Sequence, residues 1–232
     1  LDPLSSHNSN VNGHLNILEL AKINKVKLIV FASSSSVYGD SIDLPKIEKN
    51  IGNPLSPYAL TKKINEQYSK IYHLSYGLNY VGLRYFNVFG PKQDPNGPYA
   101  AVIPKFLYNL IAGKEIIING DGFHERDFTY IENVVDANLL SLISKKSVQN
   151  EYYNVGCGQK VNLNYLAKSI IEILNKFDYK VSYDLINHGP ERDGDIKSSL
   201  ASIEKISKNL EYSPNTNFYE GLNNLISYQL EL

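Results

Sequence analysis

Tyr58 and Lys62 stand four residues apart in Tyr58-Ala59-Leu60-Thr61-Lys62, and Ser34 lies 24 residues upstream within four consecutive serines, Ser33 to Ser36. On a helix, a spacing of four sets two side chains on one face, a turn apart. A tyrosine hydroxyl has an ordinary pKa of about 10 and is a poor base at neutral pH. A neighbouring ammonium, with a cationic cofactor close by, favours the phenolate and brings it toward the working range. A serine at a strand end can hold the alcohol that is to be deprotonated. Together these groups can take a proton from a secondary alcohol while a nicotinamide takes the hydride. The chain holds 18 tyrosines, so the spacing alone is an ordinary occurrence and gains weight only from its surroundings.

Those surroundings predict the necessary elements. Lys27 to Ala32 is apolar, rich in β-branched residues and too short for a helix, so it reads as a buried strand over 27–33. It runs into the serines, where open α/β sheets place their chemistry. Ser56-Pro57 sets a capping residue before a proline, predicting a helix from about Tyr58 to Tyr76 closed by Gly77. Further helices are predicted over 8–24, 100–113, Ile131 to Ile143 and Leu163 to Phe177, with two short ones closing the chain. Strands are predicted over about 79–86, at Ile116 to Ile118, at Tyr152 to Val155 and over Lys180 to Leu185. This alternation predicts an α/β fold with a doubly wound parallel sheet.

Three further stretches complete a pattern. They are Leu83 to Pro91 (LRYFNVFGP), Gly120-Asp121-Gly122 with Arg126 to Ile131 (RDFTYI), and Arg192-Asp193-Gly194-Asp195. With the serine-Val37-Tyr38-Gly39 run and Pro57-Tyr58-Ala59-Leu60-Thr61-Lys62, the chain resembles the extended short-chain dehydrogenase/reductase superfamily, in its NAD-dependent nucleotide-sugar epimerase branch. The resemblance implies a Rossmann-type sheet capped by a smaller α/β domain that binds a UDP-sugar. It divides the chain into a nucleotide-binding part, 1–95 and 120–157, and a sugar-nucleotide part, 96–119 and 158–232. Asp2-Pro3-Leu4 resembles the segment before the family's fourth nucleotide-domain helix, and the chain opens at Leu1 with no methionine anywhere. By that register about 100 residues, enough for the first βαβ units and their glycine-rich turn, would stand ahead of Leu1. Gly120-Asp121-Gly122 and Gly156-Cys157-Gly158 match that turn only in part and read as ordinary turns.

The resemblance also implies roles. Tyr58 is expected to be the acid/base, Lys62 its electrostatic partner and a ligand of the nicotinamide ribose, and Ser34 the partner of the sugar hydroxyl. Ser35 and Ser36 would line the hexose site. Asn10, Ser33 and Tyr85 would lie against NAD. Asn87, with Ala101 and Val102, would contact the sugar nucleotide. Arg126 and Arg192 would clamp its diphosphate, which suits planar guanidinium forks, and Asp195 would hold a uridine ribose hydroxyl. Each arginine could instead be a surface ion pair.

Relatives that eliminate water or carbon dioxide carry an acid before Val-Tyr-Gly, whereas positions 33–36 here are all serine. That favours 4-epimerisation through a 4-keto sugar. The stretch Arg84 to Pro104 resembles UDP-N-acetylglucosamine 4-epimerases. Ser199 falls where galactose-specific relatives carry a tyrosine, leaving room for a 2-acetamido group, unless it is a plain surface serine. A UDP-hexuronate or UDP-glucose 4-epimerase fits the same serine run, and an inactive fragment lacking its cofactor half is a third reading.

Composition sets the remaining bounds. A net charge of −1 gives no broad attraction to nucleic acid or anionic membrane. No apolar run approaches the roughly 18 residues of a membrane span. The lone Cys157 cannot form an internal disulfide and suits the cytoplasm. The five histidines, His7, His14, His73, His124 and His188, lack ligand spacing, so no metal is expected. The family implies a homodimer pairing helices 8–24 and 58–76, although these could also pack within one chain.

Overall fold

The computed structural model describes residues 2–96, 101–191 and 197–231. In chain order, its elements begin with helix α1 (Pro3–His7), a π-helical turn (Asn8–Asn12) and α2 (Gly13–Ile23). Strand β1 (Leu28–Ser34), a tight turn (Ser35–Tyr38), α3 (Pro57–Tyr76) and β2 (Asn79–Tyr85) follow. Next come β3 (Val88–Phe89), α4 (Val102–Ile111), β4 (Ile116–Asn119), β5 (Glu125–Arg126), β6 (Thr129–Tyr130) and α5 (Ile131–Leu142). The remainder is β7 (Glu151–Val155), β8 (Val161–Asn162), α6 (Leu163–Lys176), β9 (Ile186–Gly189), α7 (Glu204–Leu210) and α8 (Phe218–Leu230).

Two units emerge from the contacts. The first comprises Leu1–Phe86, Asn133–Gly156 and Ala201–Ser213. Its sheet has the order β1-β2-β7, all parallel, as expected of a Rossmann-type fold. Ser34 pairs with Tyr85, and Tyr85 with Val155, so the three strands finish level at one carboxyl edge. Central β2 is buried on both faces through Tyr80, Val81 and Leu83, as parallel strands covered by helices must be. Leu18 and Ala21 of α2 pack with Tyr72 of α3 and with Leu78.

Local chemistry sets the helix ends. Ser56 Oγ accepts from Ala59 N at 3.1 Å, Pro57 occupies the first turn, and Gly77 closes α3 at φ 71°. The helix expected over 8–24 starts earlier, at Pro3, because the Asp2 carboxylate accepts from Leu4 N and Ser5 N at 3.1 Å. Gly39, at φ 51°, ends the serine turn. A Cβ there would meet Asn53 O at 1.7 Å, so only glycine fits.

The second unit comprises Asn87–Glu132, Cys157–Leu200 and Pro214–Leu232. Its core joins α4, α6 and α8 to β4, with the Phe89 ring in contact with those of Phe128, Tyr130 and Phe218. β4 pairs with β9 in parallel. Residues 180–185, expected to be a strand, instead lead through a 3₁₀ turn at Tyr183–Leu185 into β9. Ser182 Oγ accepts from Asp184 N at 3.2 Å, a local bond that competes with a strand.

The partition departs from the division suggested by family register. Residues 87–95 and 120–132 group with the second unit, because Phe89, Phe128 and Tyr130 belong to its aromatic core. Residues 201–213 return to the first: Ala201 packs with Val37, Tyr38 and Phe86, and Tyr212 OH donates to Gly156 O at 3.0 Å. Among the described residues, no helix is long and apolar enough to cross a membrane.

Candidate functional site

Ser34 lies at the carboxyl end of β1 with its backbone extended, and its Oγ accepts from Ser36 N at 3.1 Å. Tyr58 and Lys62 occupy successive turns of α3. Lys62 Nζ donates to Ala32 O at 3.0 Å and lies 5.7 Å from the centroid of the Tyr58 ring. The helix thus delivers its ammonium to the end of the strand that carries Ser34. Burial lowers the pKa of Lys62, and the carbonyl of Ala32 leaves further ammonium donors for other acceptors. Tyr58 is 40% exposed, so its hydroxyl is open to an incoming alcohol. Ser35 and Ser36 form the turn beyond Ser34, and Ser36 Oγ is buried without a hydrogen-bond partner. A buried hydroxyl without a partner is uncommon and costly.

Asn10 falls in the π-helical turn, a departure often found at functional positions. Its Nδ2 donates to Thr61 Oγ1 at 3.0 Å, next to Lys62 in sequence. One turn on, His14 Nε2 lies 2.9 Å from Ser69 Oγ. Tyr85 is level with Ser34, and its hydroxyl accepts from Asn138 Nδ2 at 2.9 Å. Ser33, expected against NAD, has its side chain engaged elsewhere. Side chains alternate along a strand, and its hydroxyl turns inward to donate to Glu66 Oε1 at 2.5 Å.

In the second unit, a cavity of about 300 Å³ is lined by residues that include Asn87, Ala101, Val102, Asn119, Arg126 and Phe128. Four of these are expected sugar-nucleotide contacts, brought together from β5, the start of α4 and the segment before β3. Asn87 adopts φ 32° and its Nδ2 donates to Asp127 O at 3.2 Å. Arg126 Nη1 donates to Glu125 O at 2.9 Å. Ser199 N donates to that same carbonyl at 3.0 Å, which sets Ser199 beside the strand of Arg126. Arg192 and Asp195 lie outside the described residues. Gly120, Gly122 and Gly158 have φ between 67° and 76°, as turns demand.

Sequence reasoning missed two groups. Lys105 and Asn119 also line the cavity. Lys105 follows Ala101 by one helical turn and Asn119 ends β4, positions legible only once those elements are paired. The second group is a buried polar web near the carboxyl edge of the sheet, in which Arg84 binds Glu66 through Nε (2.9 Å) and Nη2 (2.8 Å). Glu66 follows Lys62 by four residues, a faint signal that it shares the active face.

Comparison with known proteins identifies the family. The model of the NAD dependent epimerase/dehydratase family matches residues 1–156. A UDP-N-acetylglucosamine 4-epimerase from Methanobrevibacter ruminantium, solved with UDP-N-acetylmuramic acid, is 39% identical with a TM-score of 0.91, over 99% of this chain and 71% of that one. A UDP-glucose 4-epimerase from Thermotoga maritima, solved with UDP-glucose, is 34% identical with a TM-score of 0.91, over 99% of this chain and 72% of that one. A UDP-glucuronate 4-epimerase from Thermodesulfobacterium geofontis is 34% identical over 96% of this chain and 65% of its own length. The family match takes in β1, α3 and β2, the elements that carry Ser34, Tyr58, Lys62 and Tyr85, and the chain belongs to the NAD-dependent epimerase/dehydratase family.

Proposed function

We propose that this chain carries the catalytic edge and sugar-nucleotide pocket of a UDP-sugar 4-epimerase, an isomerase that interconverts UDP-N-acetylglucosamine and UDP-N-acetylgalactosamine. One observation carries the reading: the Lys62 ammonium, bound to the Ala32 carbonyl, lies 5.7 Å from the Tyr58 ring centroid at the edge where Ser34 and Tyr85 end their strands. The donor set fits the nicotinamide ribose of NAD. Lys62 keeps ammonium donors for ribose hydroxyls, and the Tyr58 hydroxyl is exposed beside it. NAD, when bound, accepts and returns a hydride at C4 of the sugar.

The chain's own residues handle the proton. Ser34 holds the 4-hydroxyl by hydrogen bond, Tyr58 takes its proton as the carbonyl forms, and Tyr58 returns the proton as the opposite epimer forms. Lys62 sets its ammonium beside the Tyr58 ring. Asn10 steadies the Lys62 turn through Thr61. Asn87, Ala101, Val102 and Arg126 are assigned to the nucleotide and its diphosphate, with Arg192 and Asp195 joining from the segment outside the described residues. The absence of acid at 33–36 supports epimerisation over elimination. Glu66, the carboxylate bound to Ser33, is tied up by Arg84.

Ser199 beside Arg126 supports the acetylated pair, since a small side chain there leaves room at C2. A UDP-hexuronate is the second reading, supported by the relative from Thermodesulfobacterium geofontis. Chromatography after incubation with plain, N-acetylated and uronic UDP-sugars separates them, and failure on both acetylated sugars removes the first. We also infer a cytoplasmic homodimer paired through α2 and α3. Their outward Leu20, Ile23, Ile71 and Leu74 support that interface, and Cys157, the lone cysteine of the chain, supports the compartment.

A further inference from the structure

We propose that Glu66 and Arg84 are positioning residues, a buried ion pair that holds Tyr58 and Lys62 in register with Ser34. The identity of the catalytic groups rests on the epimerase reading; the positioning itself stands on geometry within the first unit. Glu66 is 4% and Arg84 2% exposed. Besides its two bonds to Glu66, Arg84 donates through Nη1 to Tyr38 OH at 3.1 Å and to Glu48 O at 2.8 Å. Tyr38 OH donates to Asn154 Oδ1 at 2.6 Å, Ser33 Oγ to Glu66 Oε1 at 2.5 Å, and Tyr152 OH to Glu66 O at 2.6 Å. The rings of Tyr38 and Tyr152 lie 5.1 Å and 5.3 Å from the guanidinium carbon. One ion pair therefore joins β1, the serine turn, α3, β2 and β7.

The members of this web sit beside the groups that the chemistry needs. Ser33 precedes Ser34, Arg84 precedes Tyr85, and Glu66 follows Lys62 by one helical turn. Sliding or turning α3 on the sheet would break the two-pronged bond to Arg84 and carry Tyr58 and Lys62 away from Ser34. Stability alone is a poor reason for such a pair, because well-packed apolar residues of similar volume replace buried ion pairs at little or no cost. What an apolar pair cannot reproduce is the planar, two-bond geometry that admits a single orientation. Displacement of about 1 Å can cost about 100-fold in rate.

The test replaces the pair by Glu66→Met with Arg84→Met and compares it with Glu66→Gln, which keeps shape and removes charge. The Lys62 Cε resonance is titrated by NMR in the chain without substrate and assigned by its loss in Lys62→Arg. Burial holds the Lys62 pKa below its ordinary value, and both variants should raise that midpoint as Lys62 leaves its station on Ala32 O. Where the wild type turns over, kcat should fall about 10- to 100-fold while KM and the affinity for UDP change less than about twofold. Should the double variant not fold, Glu66→Gln decides. An unchanged Lys62 midpoint in a folded variant overturns the positioning role. A wild type inactive on every UDP-sugar removes the epimerase reading and leaves the titration to judge the pair.

Discussion

His14 offers a quantitative test of the packing behind Lys62. It stands on α2 one turn past Asn10, against the Phe31 ring (4.9 Å between centroids), with Nε2 on Ser69 Oγ. Ser69 Oγ itself donates to Asn65 O at 2.9 Å, so the imidazole nitrogen is the donor in the bond to Ser69. Burial, and next the charge of Lys62, lower the pKa of His14 from 6.5 to about 4, with only a backbone bond at Asn65 working the other way. A depressed folded pKa means that the unfolded chain binds the extra proton. The stability contribution is therefore whole above pH 6.5 and is lost as pH falls through about 4. A shift from 6.5 to about 4, at about 1.4 kcal/mol per unit, amounts to about 3 kcal/mol. His14→Gln keeps a donor for Ser69 and cannot titrate. Urea unfolding of both proteins across this window should show the wild type losing about 3 kcal/mol more than the variant between pH 6.5 and 4. A stability difference that does not vary with pH, or a wild type that gains on the variant toward acid, refutes the reasoning.

Other consequences can be checked more briefly. Tyr58→Phe should lower kcat by about 100-fold or more while binding of UDP-sugar by calorimetry persists. Ser199→Tyr should lose the acetylated sugars first in a side-by-side kcat/KM comparison, and equal loss on plain sugars would exclude the gate. Arg126→Ala should weaken UDP by about 10-fold or more, as loss of a charge-assisted bond implies; unchanged UDP affinity would remove Arg126 from the diphosphate. Leu74→Glu, at a position 69% exposed on α3, should give a monomer by light scattering with the helical signal intact.

The strand, turn and helix that carry the proposed catalytic residues were legible in the sequence because they are local. A short apolar strand, a serine run and a proline-led helix state their own start and finish, and the Tyr58–Lys62 spacing follows from helix geometry alone. The three-stranded parallel sheet follows from the same alternation. What escaped was long-range or subtle. The π-helical turn that carries Asn10 has no distinctive pattern in Asn8 to Asn12. Val181, Tyr183 and Leu185 alternate as a strand would, yet Ser182 bonds its own chain and defers the strand to Ile186. The web around Glu66 and Arg84 needs the register of β1 against β2, and the return of residues 201–213 to the first unit needs the packing of Ala201 on Tyr38. Ser33, one of four like neighbours, is set apart only by the alternation that turns it toward Glu66.

The central claim is oxidation and reduction at C4 with Tyr58 handling the proton. It is tested most directly by incubating the protein and NAD with UDP-N-acetylglucosamine deuterated at C4 and following product by NMR. The account predicts UDP-N-acetylgalactosamine that retains the C4 label, and no product from Tyr58→Phe. Inversion with hydrogen drawn from solvent at C4, or inversion at the wild-type rate without the Tyr58 hydroxyl, would contradict it.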